Sequence, residues 1–194
     1  MNRDQIRALI VETVVRPASA AKDVLAVQVP RNALWTALAL VGVMNGLYYG
    51  LLLPSAAAAG MVPVSMANAP LIVTGAVLTI LVVMVFLLTI SGRVLGGQGD
   101  LDALLKITVW LQGLRLLAQV AISIVSLAIP AIGWLAAMVI GIWGIWILVV
   151  FIAAAHGFAT SKGFGTLLGT FVATVFALSI LSAILGLGVP AGDL

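Results

Sequence analysis

Residues 132–155 read IGWLAAMVIGIWGIWILVVFIAAA, and no charged side chain interrupts the run from Ile132 to Ala155. An α-helix rises about 1.5 Å per residue, and the hydrocarbon core of a bilayer is about 30 Å thick, so roughly 20 mainly apolar residues cross it. A helix satisfies its backbone donors and acceptors internally, as a segment surrounded by lipid must. A membrane β-barrel would show alternating segments of about ten residues instead.

Four further runs have the same character. Leu34 to Leu53 is opened by Arg31 and Trp35 and closed by Pro54; Leu71 to Ile90 lies between Pro70 and Ser91-Gly92-Arg93. Val109 to Ile129 stops at Pro130, and Phe164 to Leu185 precedes a Gly/Pro tail. None of these spans contains an internal proline. The expected fold is all-α: a polytopic membrane bundle of five helices at 34–53, 71–90, 109–129, 132–155 and 164–185. Residues 1–32 are read as a cytoplasmic amphipathic segment, 33–187 as the transmembrane domain and 188–194 as a tail outside. The composition agrees, with 63% hydrophobic and 8% charged residues over 194, where soluble domains carry about 25% charged residues.

Residues 1–32 are mixed in character and lack the layout of a cleavable signal. Ile6, Leu9, Ile10 and Thr13 share one helical face, Pro17 separates a second helix, and Ala21, Val24, Leu25 and Val29 form its apolar side. These helices are expected on the membrane surface or against the bundle. Gly96-Gly97-Gln98-Gly99 reads as a turn, with Asp100 capping a short helix that carries Leu101, Leu104 and Leu105.

Lys and Arg set the sidedness. Arg3, Arg7, Arg16, Lys22 and Arg31 precede the first span, Arg93 and Lys106 lie between spans two and three, and Lys162 lies between four and five. The intervening segments 54–69 and 130–131 have none. The positive-inside rule then puts the N-terminus in the cytoplasm and the C-terminus outside. The net charge of +3 is spread over these segments without a dense basic stripe, which excludes a nucleic-acid partner.

The third span carries the most chemistry. Gln112, Arg115, Gln119, Ser123 and Ser126 fall at steps of three and four on one face. A polar stripe of this kind faces protein or water, because lipid offers no partners. Two readings stand: a polar cleft gripping an anionic head group, or snorkelling of Arg115 from about 8–13 Å inside the span. Gly42, Gly46 and Gly50, with Asn45 beside them, form a small-residue face, as do Gly165 and Gly169 in the fifth span and Gly133, Ala137 and Gly141 in the fourth. Such faces let helices approach closely, within one chain or between partners. His156, followed by Gly157, is read as a helix C-terminal cap. It has no second histidine or nearby carboxylate to make a metal site. No cysteine, no H-E-x-x-H, no G-x-S-x-G and no phosphate-loop motif occurs, and no Asp or Glu falls in any span. A coupled carrier needs buried ionisable groups or unwound helices. No enzyme activity and no cofactor are expected.

Several landmarks together are similar to the YIP domain family, multi-pass membrane proteins named for interaction with small Rab/Ypt GTPases, and the bacterial branch is the nearer. They are Thr13-Val14-Val15-Arg16-Pro17 with Ala20-Ala21, Leu34-Trp35, Gly96-Gly97-Gln98-Gly99 ahead of Leu105-Lys106, Trp110-Leu111-Gln112, Pro130 and His156-Gly157-Phe158. The resemblance covers nearly the whole chain. It implies five spans with a cytoplasmic N-terminus, and for a bacterial member the inner membrane with a periplasmic C-terminus. The Asp-Leu-Tyr-Gly-Pro type motif before span one is absent, which puts Rab binding in doubt. The expected role is a non-enzymatic membrane adaptor or accessory subunit, in a membrane protein complex or homo-oligomer. The alternative is a small lipid-binding or transport protein that uses the third-span polar face on an anionic lipid.

Overall fold

The computed structural model of the chain describes residues 2–184, and its regular elements are all α-helices. A short hairpin comes first, α1 (Arg3–Val15) and α2 (Pro17–Ala26), followed by α3 (Arg31–Ala58). A single turn, α4 (Val64–Ala67), precedes α5 (Pro70–Val94), α6 (Leu101–Ala128), α7 (Pro130–His156) and α8 (Thr160–Ile184).

Local chemistry sets the boundaries. Asn2 starts α1 with a capping box: its Oδ1 accepts from the Gln5 N–H at 3.2 Å and from the Asp4 N–H at 2.7 Å, while Gln5 Oε1 accepts from the Asn2 N–H at 2.7 Å. Pro17, Pro70 and Pro130 stand at the first turns of α2, α5 and α7, where a missing N–H costs nothing. Asp100 caps α6 by accepting from the Ala103 N–H at 2.8 Å.

Two boundaries differ from the sequence reading. Helix α3 does not stop at Pro54 but runs through it to Ala58. Pro54 removes only one ladder bond, the one to the Gly50 carbonyl, and membrane helices tolerate such an interruption. The short helix after Asp100 and the third span are one helix, α6. No proline or glycine separates Leu105 from Val109, and Lys106, which looked like a break, finds a partner: its ammonium donates to the Leu25 carbonyl at 2.8 Å.

Helices α3, α5, α6 and α7 are the 4 long and apolar enough, among the described residues, to cross a membrane. Helix α8 has 25 residues, and the end of its expected span, at Leu185, lies outside the described residues, as does the tail at 188–194.

The long helices close into a ring in the order α3, α5, α8, α7, α6, each touching the next. Helix α3 runs parallel to α6 and in step with it: Arg31–Asp102 near one end and Tyr48–Gln119 farther along are each separated by 71 residues. Helix α3 runs antiparallel to α5, with Gly42 opposite Leu78, Gly46 opposite Thr74 and Gly50 opposite Pro70. Helix α8 runs antiparallel to α5, with Gly165 opposite Leu95 and Gly169 opposite Ser91.

The α1–α2 hairpin packs on α6 and α7 rather than lying apart from the bundle, and Leu9, Ala20, Ala21 and Val24 belong to the main core. It is held through carbonyls that helix ends leave without intrahelical partners. Trp143 Nε1 donates to the Val14 carbonyl at 3.0 Å, and Lys106 does the same for Leu25. Trp110 Nε1 donates to the buried Thr13 hydroxyl at 3.1 Å. Every Lys and Arg other than Arg115 lies in the hairpin or in the helix ends and loops beside it. The core is concentrated at this hairpin end. At the far end large apolar side chains face outward, Leu71 at 85% and Leu127 at 87% exposure, the surface that lipid covers.

The glycine registers predict specific cross-links. A Cβ at Gly50 stands 3.7 Å from Pro70 Cβ, and one at Gly169 stands 3.8 Å from Ser91 Cβ, within the disulfide range of about 3.5–4.5 Å. In this cysteine-free chain, Gly50→Cys with Pro70→Cys, and Gly169→Cys with Ser91→Cys, form disulfides on mild oxidation. Gly50→Cys with Ser91→Cys does not. Mass spectrometry of the linked peptides reads the result.

Candidate functional site

Two polar constellations stand out, one at the hairpin end and one farther along the α3–α6 seam. The first is built on His156, the last residue of α7, which is 2% exposed. Gly157 follows at φ 70°, the left-handed conformation that glycine adopts without strain. The Phe158 N–H then reaches the Ala153 carbonyl at 3.1 Å and the Gly157 N–H the Ala154 carbonyl at 3.3 Å, a Schellman closure.

His156 therefore does not cap its own helix, as the sequence reading expected; Gly157 and Phe158 do that with backbone alone. Its imidazole is free to reach across the bundle. The Gly99 N–H donates to His156 Nδ1 at 3.1 Å, and Nε2 lies 3.2 Å from the Leu88 carbonyl in α5. An N–H pointing at Nδ1 means that Nδ1 carries no proton, so Nε2–H is the donor to Leu88. The neutral ring matches both partners. The His156 carbonyl also accepts from the Gln98 N–H at 3.0 Å.

The ring fits because three glycines surround it. A Cβ on Gly97 or on Gly99 would stand 2.6 Å from Nδ1, and one on Gly92 would collide with Nε2. Phe158 closes the stack, its ring 5.3 Å from the imidazole at 9°. Arg93 Nε donates to the Gly99 carbonyl at 3.1 Å, and Lys162 Nζ donates to the Leu95 carbonyl at 3.1 Å, so both cations are spent on loop and helix-end backbone. The arrangement ties α5, the loop before α6, α7 and the start of α8 together. Among the described residues no group of three or more His, Cys, Asp or Glu is placed to hold a metal.

The second constellation is the expected polar face of α6, and its partners come from α3. Arg115 Nη2 donates to the Tyr49 hydroxyl at 2.7 Å, and Gln119 Nε2 approaches the same oxygen at 3.4 Å. The Tyr48 hydroxyl lies 2.8 Å from Ser123 Oγ and 3.3 Å from the Gln119 carbonyl. Gln112, half-buried, is one turn nearer the hairpin end on the same face. Arg115 itself is exposed on the outside of the ring. Tyr48 and Tyr49 were not singled out as its partners from sequence. The signal that could have found them is the parallel register of two amphiphilic residues on α3 with the α6 stripe.

The glycine seams are filled from within the chain. Gly42, Gly46 and Gly50 receive α5, and Gly165 and Gly169 receive the end of α5. Gly133 is pressed on Ser126 across the Pro130 corner, whereas Gly141 meets nothing within 4 Å. Asn45 is 2% exposed; its Nδ2 donates to the Val41 carbonyl at 2.9 Å, and its Oδ1 has no partner among the described residues.

The family model of the Yip1 domain matches residues 11–182, from within α1 to within α8. No curated protein and no solved structure matches the chain.

The glycine cradle yields a coupling test. Gly92→Ala forces a methyl group into the imidazole, which in a packed interior costs about 1–3 kcal/mol. His156→Ala strands a buried N–H and a carbonyl at a similar cost, about 1–3 kcal/mol. In the His156→Ala background the added cost of Gly92→Ala falls by about 1 kcal/mol or more. Thermal unfolding in detergent measures it, and strictly additive losses would count against the cradle.

Proposed function

The chain belongs to the Yip1 domain family, and from that premise we propose that it is a non-enzymatic membrane adaptor or accessory subunit that packs with partner membrane proteins. The observation that carries this reading is the hairpin. It is integrated into the bundle core, yet it presents Arg3, Asp4, Arg7, Arg16, Lys22 and Asp23 outward on a rigid platform. A charged surface fixed to a membrane bundle suits a partner with a complementary charged face. Most polar side chains described in the bundle interior are engaged with backbone or with neighbouring helices, the Asn45 and Gln119 amide oxygens and the Thr108 and Thr170 hydroxyls excepted, which suits a scaffold better than a reaction centre.

Helix α8 acts as the fifth span in this proposal, with the glycines at 165 and 169 against α5. The hairpin end lies in the cytoplasm and the far end outside. The clustering of Lys and Arg at the hairpin end supports that orientation by the positive-inside rule. The membrane is the bacterial inner membrane, with the C-terminus periplasmic. A second reading, a lipid-binding or lipid-moving protein, is favoured by one observation, the exposed Arg115 bound to Tyr49.

Purification from native membranes in mild detergent, followed by native mass spectrometry, tests the adaptor reading. A stoichiometric membrane-protein partner is expected, and Arg7→Glu with Arg3→Glu lowers its recovery several-fold. Recovery of the chain alone, or as a homo-oligomer unaffected by those substitutions, would sink the hairpin as the docking platform. A reporter fused before Met1 is expected to be active in the cytoplasm only.

A further inference from the structure

We infer that the α3–α6 seam at Arg115 and Tyr49 is a binding site for the phosphate of an anionic lipid in the leaflet on the hairpin side. Acidic residues in this chain occur at Asp4, Glu12, Asp23, Asp100, Asp102 and Asp193. None lies between Lys106 and the C-terminal tail, or anywhere in α3 and α5. Asp102 shares α6 with Arg115 but is about 20 Å away along the axis at 1.5 Å per residue, and it is paired with Arg31 at 2.7 Å. Among the described residues the Arg115 guanidinium therefore has no carboxylate in reach, and its partner there is the uncharged Tyr49 hydroxyl. An unpaired cation on the lipid face of a spanning helix is costly unless an anion meets it.

Depth decides which anion. Side chains on a helix lean toward its N-terminus, and α6 begins at the hairpin end. Arg115 lies five residues beyond Trp110, about 7–8 Å at 1.5 Å per residue. Trp110, at the start of the third span as the sequence reads it, donates into α1 and is of the side-chain type that marks a membrane interface. The guanidinium thus leans back toward the head groups of the hairpin-side leaflet. Gln112 lies on its path, one turn closer to the interface.

Geometry then gives selectivity. The Tyr49 hydroxyl holds Nη2, which restrains a side chain that would otherwise snorkel freely, and the exposed guanidinium keeps further N–H groups for a ligand. A planar guanidinium presents two parallel donors to a phosphodiester. A head group with net negative charge satisfies the cation. Phosphatidylcholine brings its own ammonium and competes poorly. The inference rests on the lipid-facing reading of the α6 face, and it does not require that lipid be moved between leaflets.

The test uses the purified full chain in detergent, given equal amounts of phosphatidylglycerol and phosphatidylcholine, with retained lipid read by native mass spectrometry. The wild type is expected to retain phosphatidylglycerol about tenfold over phosphatidylcholine, the ratio a single charge-assisted contact can sustain. Arg115→Gln abolishes the preference. Tyr49→Phe, which keeps the charge and removes the restraining hydroxyl, lowers it several-fold, and Arg31→Gln, at the exposed pair with Asp102, leaves it unchanged. Retention by Arg115→Gln equal to the wild type overturns the site. Displacement of the lipid by a millimolar excess of inorganic phosphate overturns the lipid assignment in favour of a soluble phosphate. A parallel vesicle assay separates the two ideas: selective retention without lipid movement supports the site and removes the transport reading.

Discussion

The arrangement depends on one neutral imidazole. Between helices in a bilayer there is little hydrophobic drive, because lipid tails are as apolar as leucine side chains. Polar bonds and close packing must then set which helix meets which, and at what height. His156 does this at the hairpin end, where it accepts from the loop that starts α6 and donates to α5 from the end of α7. Three glycines make room for it. A larger residue at any of them would exclude the ring, and a different ring would leave a buried donor or acceptor without a partner.

The same economy recurs around it. Helix ends leave carbonyls without intrahelical partners, and here other helices supply the donors: Trp143 to α1, Lys106 to α2 and Lys162 to the residue that closes α5. Basic residues at this end thus serve in packing. The result is a bundle knit tightly at one end, with the hairpin built into its core, and clothed by lipid at the other. Along the α3–α6 seam a smaller set of bonds holds Tyr48 and Tyr49 on the polar face of α6, where Arg115 turns outward.

Much of this was legible in the chain. Uninterrupted apolar runs allow few folds, and the helix starts at Pro70 and Pro130 and the stop at Gly157 carry their own backbone signals. The small-residue faces at Gly42, Gly46 and Gly50 and at Gly165 and Gly169 were visible, and the polar face from Gln112 to Ser123 follows from spacing alone. Pro54 misled, because a lone proline reads as a stop while a long membrane helix can run through it. Lys106 misled for a related reason: a charge reads as an interface until a carbonyl is seen to take it. His156 is the sharpest case. Its place at a helix end was plain, but its partners, Leu88 and Gly99, are 68 and 57 residues away.

The sequence by itself determined the class of fold, its helical elements and the bias of positive charge to alternate segments, because burial in lipid and backbone satisfaction are local demands that each segment meets alone. Only the tertiary structure decided which faces meet. It gave the glycine seams to α5, placed the hairpin against α6 and α7, set Tyr48 and Tyr49 beside Gln119 and Arg115, and turned His156 from a cap into a cross-brace. Those outcomes rest on contacts between residues far apart in the chain, and a pattern read along one helix does not say which neighbour fills the other side.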